Sequence, residues 1–156
     1  MIQLRAVEEK DNLFIEEVYR STREDELNLT NWPEHQKQAF IFMQSKAQLA
    51  DYKKNYPGAS FQIIIYKKQM AGRYYIWEND NEIRLINIIL LPLFRGKGIG
   101  KHLLKELIKK SNAVQKKISL HVEQTNPALQ FYKNLGFVFI KNNGWYDYME
   151  RDPDPH

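Results

Sequence analysis

The sequence predicts an α/β fold of the α+β mixed kind, with antiparallel strands first and a crossover later, and three observations predict it. Apolar runs at 61–66, 70–77 and 82–91 follow one another across short polar turns, as in a meander. Two segments at helical spacing, 96–111 and 127–135, flank the strand-like run 118–122, which is how a crossover reads. With 156 residues, 43% of them hydrophobic and 13% aromatic, the chain can bury one substantial core.

The elements follow in order. Gln3 to Val7 reads as a short strand and Asp11 to Arg20 as a helix. The acidic run Arg23-Glu24-Asp25-Glu26 reads as a solvated loop or as an attractor for a cationic substrate. Pro33 opens a longer helix to Tyr56, because proline fits a first helical turn, and Pro57-Gly58 stops it. Phe61 to Tyr66 turns at Lys67-Lys68-Gln69 into Met70 to Trp77. Glu78-Asn79-Asp80-Asn81 turns that strand into Glu82 to Leu91. A helix from Gly96 to Ser111, a strand from Ile118 to Val122 and a helix from Pro127 to Leu135 come next. The last hairpin turns at Asn142-Asn143-Gly144. Residues 1–151 are expected to form a single domain and residues 152–156 a loose tail.

Composition excludes several functions. With no Cys there is no disulfide, thiol nucleophile or thiolate metal site, and a cytoplasmic setting is the expectation. No run approaches the roughly 20 apolar residues of a membrane helix, and Met1-Ile2-Gln3-Leu4-Arg5 lacks the apolar region of a signal peptide, so a soluble chain without a membrane partner is expected. The net charge is +4, but 23 Lys and Arg are interspersed with 19 acids. That reads as a solvated surface with a local anion site, and nucleic acid is not an expected partner. His35, His102 and His156 are scattered with no carboxylate at ligand spacing, so no metal is expected.

The segment Arg95-Gly96-Lys97-Gly98-Ile99-Gly100 lies between an apolar strand and an amphipathic helix. Its glycines let backbone approach a ligand, the helix start supplies unpaired N–H groups and a positive dipole end, and Arg95, Lys97 and Lys101 add charge. This reads as a pyrophosphate cradle. A Walker loop would need Gly where Arg95 stands and a hydroxyl where His102 stands. The dinucleotide fingerprint has a different glycine spacing from Gly96, Gly98 and Gly100; Glu123 is at the distance of a ribose acid, so that alternative stays open.

A third loop, Arg/Gln-x-x-Gly-x-Gly/Ala, fits, and with it the chain resembles the GNAT N-acetyltransferases. A second motif follows in the right order. Leu120-His121-Val122-Glu123-Gln124-Thr125-Asn126-Pro127-Ala128-Leu129-Gln130-Phe131-Tyr132-Lys133-Asn134-Leu135-Gly136-Phe137 is similar to that family's strand, crossing and helix, with its Asn, Pro-Ala, aromatic-Tyr and Gly-Phe. The likeness covers roughly residues 83–149, with a weaker match from Gln44 to Ala59.

The resemblance implies a central mixed, mostly antiparallel sheet flanked by helices and splayed at the cofactor site. It implies an acetyl-CoA cosubstrate held by the freed strand edge at Ile89 and Leu90, by the loop and helix start Arg95, Gly96, Lys97, Gly98, Ile99, Gly100 and Lys101, and by Asn126. Asn126 before a Pro is equally an ordinary turn residue. The reaction implied is acetyl transfer to a primary amine of a small molecule or peptide by direct attack in a ternary complex.

Such an amine has a pKa near 10, so a base must take its proton, and the departing thiolate must be given one. Tyr132 sits where the family places the acid, though a Tyr at helical spacing beside Phe131 also reads as packing. His121 and Glu82 are the candidate bases, and a water relay or bulk solvent is the alternative to either. Trp32, Tyr52, Tyr74, Tyr75, Trp77 and Trp145 could line an acceptor pocket or simply pack. A catalytically silent CoA-binding sensor or scaffold is the alternative function, and homodimerisation is left open.

Overall fold

The computed structural model describes residues 1–155. A seven-stranded, mostly antiparallel mixed sheet is ordered β1 (Ile2–Ala6), β2 (Ser60–Tyr66), β3 (Gln69–Glu78), β4 (Glu82–Leu90), β5 (Lys117–Glu123), β7 (Tyr146–Arg151), β6 (Val138–Asn143). Among the described residues the α-helices are α1 (Asn12–Ser21), α2 (Glu24–Asn28), α3 (Glu34–Asn55), α4 (Ile99–Val114) and α5 (Ala128–Asn134). β1·β2, β5·β7 and β6·β7 pair antiparallel, whereas β4·β5 is parallel from Glu82↔Lys117 to Leu85↔Leu120. The chain gathers into two units, residues 1–75 with 87–99 and residues 76–86 with 100 onward, so β3 and β4 each contribute to both.

In the first unit, α1 places Phe14, Ile15 and Val18 on one stripe against Ile63 of β2, with Val7, Ile65, Ile89 and Leu91 around them. Each such side chain, once buried, contributes roughly 1.5–3 kcal/mol. Tyr19, Leu27 and Ile41 tie α1, α2 and α3 together. The entry to α1 is fixed by Asp11, which is buried and accepts from Arg5 Nη1 and Nη2 at 2.8 and 2.9 Å and from the Glu8 N–H at 2.8 Å. The Arg5 bonds hold its carboxyl down at about 2, against the opposing effect of burial.

The acidic run expected as a loop is helical instead. Its Glu24 and Glu26 are engaged by Arg20 at 3.2 Å and Arg23 at 3.6 Å, so it is partnered locally. The β2–β3 turn is two residues long, Lys67 and Lys68, both left-handed at φ 49° and 66°, the geometry that matches strand twist.

In the second unit, β4 buries Ile83 and Leu85, β5 buries Ile118, Leu120 and Val122, β7 buries Met149 and α4 buries Leu103, Leu104 and Leu107. Arg151 Nε donates to the Leu135 carbonyl at 2.8 Å, pinning the end of α5.

Several boundaries differ from expectation. α4 starts at Ile99, because Gly96 and Gly98 have φ of 74° and 80° and cannot be right-handed helix, and it continues to Val114, where Gln115 turns left-handed at φ 53°. The last hairpin turns on Gly144-Trp145, because Asn143 pairs with Tyr146 and belongs to the strand. The tail is not loose as far as Asp154: its N–H donates to Asn112 Oδ1 at 2.8 Å, its carbonyl accepts from Gln115 Nε2 at 2.9 Å, and Arg151 lies 3.3 Å from its carboxylate. His156 lies outside the described residues. Among the described residues no helix is long and apolar enough to cross a membrane.

Candidate active site

The end of β4 is held from several directions in the first unit. The Leu91 N–H donates to the Ala71 carbonyl at 2.9 Å, and a short 3-10 turn, Pro92–Phe94, then carries the chain off the strand. Arg95 folds back so that its Nε donates to the Leu90 carbonyl at 3.0 Å. That carbonyl, expected to be free for a ligand, therefore already has a donor.

The loop after it is built for backbone access. Gly96 and Gly98 adopt positive φ, which side-chain-bearing residues avoid, and a Cβ on Gly96, Gly98 or Gly100 would find no atom within 4 Å. At Gly100, where φ is not positive, neither strain nor packing within the protein calls for a missing side chain; a ligand lying on the first turn of α4 would. The Ile99 side chain is buried and pins the helix start, while Arg95, Lys97 and Lys101 are exposed. Unpaired N–H groups, a helix dipole and three cations suit a pyrophosphate. The residues present fit the phosphate end of CoA.

The second unit carries the groups suited to proton transfer. Tyr132 on α5 has its ring buried, with Phe131 and Phe137 at centroid distances of 5.4 and 5.7 Å. Its hydroxyl has no hydrogen-bond partner among the described residues yet is not a buried unsatisfied atom, so the tip reaches solvent. Burial pushes the phenol up to about 12, which keeps it protonated throughout the neutral range. Asn126 is used as a turn residue, its Oδ1 accepting the Ala128 N–H at 2.8 Å at the start of α5; its Nδ2 has no partner among the described residues.

His121 is exposed between buried Leu120 and Val122, as strand alternation requires. Its Nε2 lies 3.2 Å from Asn143 Nδ2 and its ring 5.0 Å from that of Tyr148. Partial burial, then Arg84 and Lys141, push the imidazole below its ordinary value, against the pull of Glu82. His121 is thus neutral at pH 7, the form that accepts a proton.

Glu82 is differently placed. Its Oε1 accepts from Ser119 Oγ at 3.0 Å and sits 3.2 Å from Arg84 Nη2, so two donors hold that oxygen and stabilise the charged carboxylate, which makes it a weaker base. The same sheet face continues through the Tyr148 hydroxyl, which donates to Glu150 at 2.7 Å, and Lys117, which pairs with Glu150 at 2.7 Å. Arg84, Ser119, Asn143 and Tyr148 are residues that sequence reasoning missed. The signal was the two-residue period that puts Glu82 with Arg84 and Ser119 with His121 on shared faces.

The aromatics divide. Tyr74 and Tyr75 are buried, with Tyr75 edge-on to Phe61 at 4.8 Å and to Tyr52 at 6.1 Å, whereas Trp145 at the hairpin turn is 84% exposed. Trp32 packs edge-on to Phe40 at 5.4 Å.

A family model described as "Acetyltransferase (GNAT) domain" matches residues 24–149. The chain belongs to the GNAT acetyltransferase family. Solved structures share this GNAT fold at low identity. The PaiA N-acetyltransferase of Thermoplasma acidophilum, solved in complex with coenzyme A, is 22% identical over 97% of this chain and 99% of that one, with a TM-score of 0.71. A GNAT acetyltransferase of Staphylococcus aureus is 20% identical over 99% of this chain and 100% of its own, at 0.68. An acetyltransferase of Thermus thermophilus is 16% identical over 97% of each chain, at 0.70. No curated protein matches.

Proposed function

We propose that this GNAT protein transfers an acetyl group from acetyl-CoA to a primary amine of a small molecule or peptide, by direct attack in a ternary complex. The observation that carries the reading is the Arg95–Gly100 loop, whose glycines leave the start of α4 open to a phosphate. In this reading Arg95, Lys97, Lys101 and the backbone of Gly96, Gly98, Ile99 and Gly100 hold the pyrophosphate. The strand edge at Ile89 and Leu90 orients the amide arm, the Leu90 carbonyl excepted because Arg95 already donates to it. Asn126 offers its Nδ2 as a further donor.

His121 is the base favoured over Glu82. Its imidazole is neutral at pH 7 and exposed, with one amide contact at Nε2 from Asn143, whereas Glu82 is largely covered and held by both Arg84 and Ser119. Tyr132 donates from its phenol to the departing sulfur. At about 12 it is a weaker acid than a free phenol, so its contribution is a hydrogen bond that tightens as negative charge grows on sulfur. The test is a screen of polyamines, aminoglycosides and peptides with free N-termini for acetyl-CoA-dependent release of CoA. Release above the amine-free rate with at least one amine is expected; tight acetyl-CoA binding with no turnover on any of them would favour the silent sensor instead.

A further inference from the structure

Arg73, on β3 in the first unit, is a buried cation without an anion. It is 2% exposed and makes no ion pair among the described residues. Its Nε donates to Asn87 Oδ1 at 2.7 Å, its Nη2 to Gln48 Oε1 of α3 at 2.7 Å, and its guanidinium lies 4.9 Å from the centre of the Tyr75 ring. A buried charge bonded only to neutral groups is an expensive way to fill a core, where an apolar side chain of similar volume is often as good or better. Stability alone does not explain it.

What the guanidinium grips suggests another purpose. Asn87 is the first residue of the β4 segment that belongs to this unit, and Tyr75 is the last residue of β3 that does. The neighbouring Gly72 lies on β3 beside β4, where a Cβ would overlap the carbonyl oxygen of Ile89, so only glycine admits that strand path. Side-chain grip at Asn87 and backbone access at Gly72 together set where β4 runs from Asn87 to Leu90.

We propose that Arg73, assisted by Gly72, is a positioning residue: it holds the β4 edge at Ile89 and Leu90 in the path that the amide arm of acetyl-CoA requires. This rests on the proposed acetyl-CoA binding, and the experiment separates the two. Calorimetry of acetyl-CoA is run on the wild type, Arg73→Met and Asn87→Asp, with a thermal melt of each. Wild-type protein that binds no acetyl-CoA would sink the functional reading itself. Given wild-type binding, Arg73→Met should melt at or above the wild-type temperature yet bind acetyl-CoA at least tenfold more weakly. Asn87→Asp, which gives the guanidinium a carboxylate on the same atoms, should melt higher and keep wild-type affinity. Arg73→Met that is folded and binds like wild type would overturn the proposal. So would an Arg73→Met that does not fold, since Arg73 would then serve folding alone.

Discussion

Gly98→Val separates the loop's service to a ligand from its service to the fold. At φ 80° the valine would sit in the left-handed region, at a cost of about 1–2 kcal/mol. It would clash with nothing in the protein, because no atom lies within 4 Å of the new Cβ. For a chain of this size that strain lowers the melting temperature by about 2–8 °C and leaves the protein folded. The ligand should suffer far more. Backbone N–H bonds to a charged phosphate are worth about 1.5–3 kcal/mol each, and losing two costs about 3–6 kcal/mol. Acetyl-CoA affinity should therefore fall by roughly 10²-fold to 10⁴-fold, read by calorimetry beside a melt of the same sample. A folded variant with wild-type affinity would refute the cradle.

Four further outcomes are expected. Tyr132→Phe keeps the ring against Phe131 and Phe137 and removes only the donor, so acetyl-CoA affinity should hold while turnover falls more than tenfold; unchanged turnover would reduce Tyr132 to packing. The wild-type rate should decline only below pH ~6.5 as His121 gains a proton, and His121→Ala should remove that limb and cost more at neutral pH than at pH 9; an equal loss at all pH values would count against this base. Asp11 is depressed in the fold, so its contribution is present above its ordinary 3.8 and lost as pH falls from there toward about 2. Asp11→Asn should cost about 1–2 kcal/mol at pH 7 after discounting for the exposure of Arg5, and nearly nothing near pH 2; chemical denaturation at both pH values checks this. Lys68→Gly should relieve a left-handed lysine and raise the melting temperature by a few degrees, about 1 kcal/mol; an unchanged melt would contradict the turn assignment.

Much of the fold was legible because its signals are local. The meander, the crossover and both long helices follow from periodicity and punctuation, and Pro33 and Pro57-Gly58 bracket α3 within a residue or two of its ends. What escaped depends on partners distant in sequence. α2 reads as a charged loop until Arg20 and Arg23 are seen to claim its acids. The tail looks loose because nothing in its composition announces Asn112 and Gln115. At the site, the loop glycines and Tyr132 stood out as a motif. The surroundings of His121 and the grip of Arg73 on Asn87 did not, since each joins residues from separate strands whose register a single sequence does not state.

The central claim, acetyl transfer without an acyl-enzyme, is tested most directly by following an isotopically labelled acetyl group from acetyl-CoA by mass spectrometry, in the presence of an accepting amine and then without it. The label should appear on the amine nitrogen, in step with CoA release, and no label should stay on the protein when the amine is withheld. Label retained on the protein, or CoA released without any labelled amine, would contradict the account.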